Sequence, residues 1–229
     1  MALPIGDAPN PRGVPVVTYF LIAANVAVYL FLTLPLSGER PAPGDPQLAE
    51  YLQVVSRSLG GRVPIGALAE HVSAYELFVY AHGFRPAMPG LPALFMSMFL
   101  HAGLLHLAGN MLFLWIYGDN VEHRLGAPAY LVTYLATGIA ATLAHWAGAP
   151  TSLLPVIGAS GAISGILGCY FVWFPRNVVR ILWLLPPFIG QVIEVPARLV
   201  LGFYLVADNL VPYLLAQGEG GVADRKSVV

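Results

Sequence analysis

Ser160 lies in the run Gly158-Ala-Ser-Gly161, at the head of a short apolar stretch. His106 and Asn110 lie far upstream, four residues apart in a separate apolar stretch. A serine that begins a helix has a backbone N–H with no intrahelical acceptor, and the helix dipole favours negative charge there. A glycine at 161 leaves room for a carbonyl to approach the backbone. These properties suit a serine nucleophile beside an oxyanion hole. His106 and Asn110 share one helix face. Such groups are costly in an apolar span unless they are paired or face a cavity. Two donors on one face are placed to stabilise an oxyanion formed at Ser160, so the combination points to hydrolysis inside a membrane. No histidine follows His145.

A packing reading stands beside the chemical one. Gly161, Gly165 and Gly168 form a stripe at i, i+4, i+7 with Ser164 beside it, and small residues let membrane helices approach closely. The run does not fit the Gly-x-Ser-x-Gly elbow of soluble hydrolases, because residue 162 is alanine. His106 and Asn110 also suit an interhelical hydrogen-bond pair. His101, five residues before His106, points elsewhere and is read as an anchor for the preceding loop. His71, His82 and His123 fall in polar or interfacial stretches, and His145 near the end of a span. No histidine spacing with a carboxylate suggests zinc, so no metal site is expected. Cys169 reads as a small core residue.

Of the 229 residues, 57% are hydrophobic and 10% charged, with a mean hydropathy of +0.71. A soluble domain carries roughly 25% charged residues. Most of the surface therefore faces something other than water, and the fold class expected is an all-α, polytopic membrane helix bundle. A net charge of −1 leaves no nucleic-acid footprint. Residues 1–13 read as a tail with no cleaved signal, since the apolar run after it has span length.

Five spans are expected, at Val14–Leu34 (ended by Pro35), Leu94–Tyr117, Ala127–Trp146, Ser160–Phe174 (stopped by Pro175) and Pro196–Leu215. Residues 36–91 carry nine of the 23 charged residues and form a long structured loop. In it Pro46–Leu59 and Ser73–His82 read as short helices, the first with Leu48, Tyr51, Leu52 and Val55 on one face, suited to a membrane interface. Residues 178–193, broken by Pro186, Pro187 and Gly190, read as a membrane-dipping connection. The fourth span is about 22 Å long at 1.5 Å per residue, shorter than a hydrocarbon core of about 30 Å, which places Ser160 at membrane depth. Arg12, Arg124, Arg176 and Arg180 flank one side, so the N-terminus is expected in the cytoplasm and the 36–91 loop outside. A bacterial inner membrane is the expected location.

At these residues the chain resembles the rhomboid family of intramembrane serine proteases. The matching stretches are His101-Ala-Gly-Leu-Leu-His106-Leu-Ala-Gly-Asn110, the run from Phe113 to Glu122, Gly158-Ala-Ser-Gly161, Glu194-Val-Pro-Ala197 with Leu201-Gly202, and Gly220-Gly-Val-Ala223. The resemblance covers residues 14–223. It implies a six-helix core around a water-filled cavity, with Ser160 as nucleophile in a dyad with a sixth-span histidine. It also implies an oxyanion hole of His106, Asn110 and the Ser160 N–H, with His101, Gly158 and Gly161 in support. The implied substrates are single-span membrane proteins cleaved near a helix end, and no cofactor is implied.

The resemblance fails after Ala223. The family's catalytic histidine belongs a few residues on, but this sequence reads Asp224-Arg-Lys-Ser-Val-Val229, an atypical tail over 224–229, with Ser227 at about the histidine's position. The sixth span is thus expected to be incomplete and the general-base histidine missing. A serine hydroxyl without a base in reach is a weak nucleophile. Little or no protease activity is expected, and the alternative function is an inactive rhomboid-like protein that binds transmembrane helices of clients. A small transporter or channel is disfavoured, since there are no paired broken helices and no charged ring. Without a full sixth helix, the glycine stripe is expected to lack a packing partner.

Overall fold

A computed structural model describes residues 2–204 apart from 43, 185 and 187–189. The chain begins with strand β1 (Ala2–Ala8). Helix α1 (Val16–Val28) continues through a π-helical segment, Tyr29–Thr33, into α2 (Leu34–Ser37). Next come α3 (Pro46–Ser58), α4 (Ile65–Ala69), α5 (Ala74–His82), α6 (Leu91–Met96) and a 3₁₀ turn, Ser97–Phe99. Then follow α7 (Leu104–Leu125), α8 (Ala127–Gly148), α9 (Ser160–Trp173), β2 (Val178–Trp183), β3 (Val192–Pro196) and α10 (Ala197–Tyr204).

The mostly helical membrane bundle expected from composition is what forms. Helix α9 packs on both α7 and α8, and α1 on α7. Its core holds Leu21, Leu107, Leu114, Tyr117, Tyr130, Tyr134, Ile163, Ile166 and Tyr170, while Phe31, Leu105, Val132 and Val172 stand exposed. An apolar exterior around a tyrosine-rich interior suits a lipid surround. Among the described residues, Val16–Ser37 and Ala127–Gly148 are long and apolar enough to cross a membrane. The expected fifth span is described only as far as Tyr204, and the stretch expected to hold a partial sixth lies outside the described residues.

Three boundaries differ from expectation. Pro35 does not end the first span. The Leu34 N–H donates to the Tyr29 carbonyl across the π turn, a widened register that lets the chain carry a proline without its missing N–H breaking the helix. The second span is not one rod: Leu91–Phe99 and Leu104–Leu125 meet at 87°. Leu100 and Gly103 are extended at that corner, where the His101 side chain is fully buried. Residues 178–193 are not a plain connection either. Strands β2 and β3 form an antiparallel hairpin, and β1 from the N-terminal tail joins it as a third strand in the order β1-β2-β3.

The long loop is a small lobe with its own core of Tyr51, Leu52, Val54, Val55, Val72, Leu77 and Tyr80. The apolar face of α3 is buried there rather than laid on a membrane interface, because α5 offers it a protein surface. Ser73 and Glu76 form a capping box that starts α5. Glu50 accepts from the Tyr80 hydroxyl at 2.6 Å, and Arg85 lies over the Tyr80 ring.

A carboxylate from α7 secures the first helix. Pro15 precedes α1 and offers no side-chain cap. Buried Glu122 accepts from the Val17 and Thr18 N–H groups at 2.9 and 2.7 Å, and from the Thr18 hydroxyl at 2.7 Å. Negative charge at a helix N-terminus satisfies both its orphan donors and its dipole. At the same end of the bundle, Asp7 of β1 is buried. Its Oδ2 accepts from Asn120 of α7 at 2.8 Å and from the hydroxyl of Tyr170 on α9. Burial pushes its carboxyl up to about 6.

Candidate active site

The site forms at the opposite end, where the lobe meets the bundle. Ser160 is the first residue of α9 and is exposed. The strand-like approach to it is tied down by backbone bonds. Val156 N–H donates to Phe84 O at 2.8 Å, and Gly158 N–H to Ser97 O at 2.8 Å. The short fourth span therefore starts from a segment pinned to the lobe side of the 87° corner, and its irregular backbone is satisfied by protein.

His106 and Ser160 come together at Gly158. A Cβ on Gly158 would stand 2.8 Å from Cε1 and 2.9 Å from Nε2 of His106, and 3.8 Å from Ser160 Oγ. Gly158 has φ +118°, a conformation that favours glycine. Residue 158 is thus the glycine that brings the imidazole up to the serine. Gly161 does something else. Its Cβ position lies 2.6 Å from the Ala141 Cβ, so that face of residue 161 packs on α8.

Asn110, one turn along α7, is buried, and its side-chain N–H donates to the His106 carbonyl at 2.9 Å. That bond ties Asn110 to its own helix and leaves its second N–H for another acceptor. His101 packs edge-on against the His106 ring, with centroids 5.1 Å apart. Its backbone is held by Tyr75 of α5: the Tyr75 hydroxyl donates to His101 O at 2.8 Å and accepts from His101 N–H at 3.1 Å. The backbone of residue 101, rather than the imidazole, makes the bonds to the loop, and the ring lies against His106 instead of pointing away from it. His71, His82 and His123 are exposed, each bonded through Nδ1 to a carbonyl four residues earlier.

The glycine stripe does not lack a partner. Gly165 sits against Thr137 of α8, and Gly138 of α8 against Met98 and Ala162. The Thr137 hydroxyl donates to Ala162 O at 3.2 Å. Helix α8, not a sixth helix, fills the close approach along Gly161 and Gly165. Of the three, only Gly168 has open space at its Cβ position. It lines a cavity of about 320 Å³ with Leu201 and Gly202.

Sequence reading missed Tyr75, Asp7 and Glu122 as organising residues. Glu122 carried a signal, being a carboxylate inside an apolar motif. Tyr75 and Asp7 carried none, because their partners lie 26 and more than 100 residues away.

A bundle of apolar helices with a serine at the start of a short helix and an imidazole beside it defines a polytopic membrane protein with a hydrolase-like site. The rhomboid domain model matches residues 90–210, more than half of the chain and a stretch that includes His106, Asn110 and Ser160, and the chain belongs to the rhomboid family. It is 46% identical over 69 residues to rhomboid protease GluP of Bacillus subtilis, covering 30% of this chain and 13% of that protein. It is 38% identical over 84 residues to rhomboid protein 1, mitochondrial, of Saccharomyces cerevisiae, covering 35% and 24%. With rhomboid-like protein 11, chloroplastic, of Arabidopsis thaliana the identity is 34% over 102 residues, covering 43% and 36%. The matched segments thus span little more than a third of these relatives at most. No solved structure matches. The family is one of integral membrane proteins, and the relatives include bacterial, mitochondrial and chloroplast members.

Proposed function

We propose that this chain is a rhomboid-type intramembrane serine endopeptidase whose substrates are single-span membrane proteins. Ser160 attacks the scissile carbonyl, and the His106 side chain and the Ser160 N–H stabilise the resulting oxyanion, with Asn110 on the same helix face. The observation that carries this reading is the meeting of His106 and Ser160 over Gly158. A preorganised donor held beside the nucleophile stabilises charge that develops in the transition state without reorganising at the moment of reaction. No cofactor takes part. The protein sits in a bacterial inner membrane with its β1-β2-β3 end in the cytoplasm and its α3–α5 lobe outside. Arg12 of the tail, Arg124 in the last turn of α7, Arg176 between α9 and β2 and Arg180 of β2 lie toward the sheet end, which supports that orientation.

Removing the Ser160 proton requires a base within hydrogen-bond reach. The stretch around Ala223, where the resemblance places that base, lies outside the described residues. A fluorophosphonate probe applied to purified protein in detergent tests the whole reading. Covalent labelling of wild-type protein that vanishes in Ser160→Ala would bear out a working nucleophile and overturn the expectation of little or no activity. An unlabelled wild-type that still co-purifies with a single-span protein would overturn the protease reading and favour a client-binding role.

A further inference from the structure

One buried hydroxyl of the lobe holds both ends of a single residue at the site. Tyr75 lies in a small cluster with Val79 and Leu100, packed against Val28, Leu32, Leu36, Phe78 and Ile157. This wedge joins the lobe, the end of the first span and the residue just before Gly158. From it the Tyr75 hydroxyl donates to His101 O and accepts from His101 N–H. His101 is fully buried, so its ring cannot turn away, and it rests edge-on against His106. The chain of contact therefore runs from α5 through the Tyr75 hydroxyl and His101 to the imidazole beside Ser160. Burial raises the Tyr75 phenol above its ordinary value, which keeps it protonated and able to donate across the working pH range.

We infer that Tyr75 is a positioning residue for the hydrolytic site: it sets the angle of the His106 imidazole through His101 and so couples the α3–α5 lobe to the oxyanion side of the site. The inference rests on the role proposed for His106, and its test has one readout independent of that role.

Tyr75→Phe deletes only the hydroxyl. In detergent, the ¹⁵N-labelled imidazole of His106, assigned by its loss in His106→Gln, is expected to shift in Tyr75→Phe. The rate constant of fluorophosphonate inactivation is expected to fall by about tenfold, since small misplacements of a catalytic group are costly, with little change in probe affinity. Tyr80→Phe, which removes a hydroxyl bonded to Glu50 in the same lobe, is expected to alter neither. An unshifted His106 resonance in folded Tyr75→Phe overturns the inference. If Tyr75→Phe does not fold, His101→Phe keeps the backbone bonds and changes only the ring on His106, and an unshifted resonance there has the same force. If wild-type protein is not labelled, the protease reading fails, and the His106 resonance alone decides the positioning role.

Discussion

The His106 imidazole and the Ser160 hydroxyl flank one glycine, Gly158, whose missing side chain leaves the space they share. Residues on α7 and α9, more than fifty positions apart, are brought together because the approach to α9 is bonded to Ser97 and Phe84.

Gly158→Ala puts a methyl group 2.8 Å from the His106 ring in a left-handed backbone conformation. Strain of this kind costs on the order of 1–3 kcal/mol. The expected outcome is a protein that still folds but whose Ser160 is labelled at least about 100-fold more slowly, the scale of losing one oxyanion donor. Labelling rate and detergent melting temperature, measured together, check it.

Glu122 is buried and accepts three hydrogen bonds from the start of α1. Glu122→Ala leaves those donors unpaired, and charged hydrogen bonds of this kind are each worth roughly 1.5–3 kcal/mol. A marked fall in melting temperature is expected. Glu122→Gln, which keeps an acceptor, is expected to fall less. Equal melting of Glu122→Ala and wild-type protein would refute the capping role.

Asp7 predicts a pH dependence of definite sign. Its carboxyl titrates near 6 when folded and near 3.9 when unfolded. Between those values the folded state binds the extra proton, so stability falls as pH rises through about 6. The contribution is fully present below pH 4 and amounts to about 3 kcal/mol at most. Asp7→Asn removes that dependence. The wild-type-minus-variant difference in melting temperature is expected to decline from about pH 4.5 to about pH 7.5, on either side of the folded value. A difference that rises would contradict the burial argument.

The glycines of α9 are expected to separate sharply. Gly165 is in close contact with Thr137, whereas Gly168 has nothing within 4 Å of its Cβ position. Gly165→Ala overpacks the α8–α9 contact and is expected to cost about 1–3 kcal/mol. Gly168→Ala is expected to be neutral, or to stabilise by up to about 1 kcal/mol through helix propensity. Thermal melting of the two variants in one detergent distinguishes them.

Much was legible from local signals. The low share of charged residues required a lipid-facing surface, and the Ser73–Glu76 capping box marked α5. The apolar stretches placed α8 and α9 to within two residues. Ser160 at a helix start and His106 with Asn110 on one face follow from spacing alone. The resemblance to the rhomboid family is local in the same sense, since contiguous runs around His101, Glu122 and Ser160 carry it. The three-stranded sheet was not legible, because β1 pairs with a strand about 170 residues later and nothing in either segment names the other. Nor was the corner at His101, where hydropathy continues smoothly while the backbone turns.

What the sequence determined by itself is the solvent of this protein, the positions of its apolar segments and the identity of the residues able to do chemistry. These depend on composition and on spacings within a helical turn. The tertiary structure decided which glycine serves the site and which serves packing, what holds His101, and what pairs with Asp7 and Glu122. Each of those is a contact between distant segments. Its geometry is set by how whole helices dock, a quantity that no local periodicity contains.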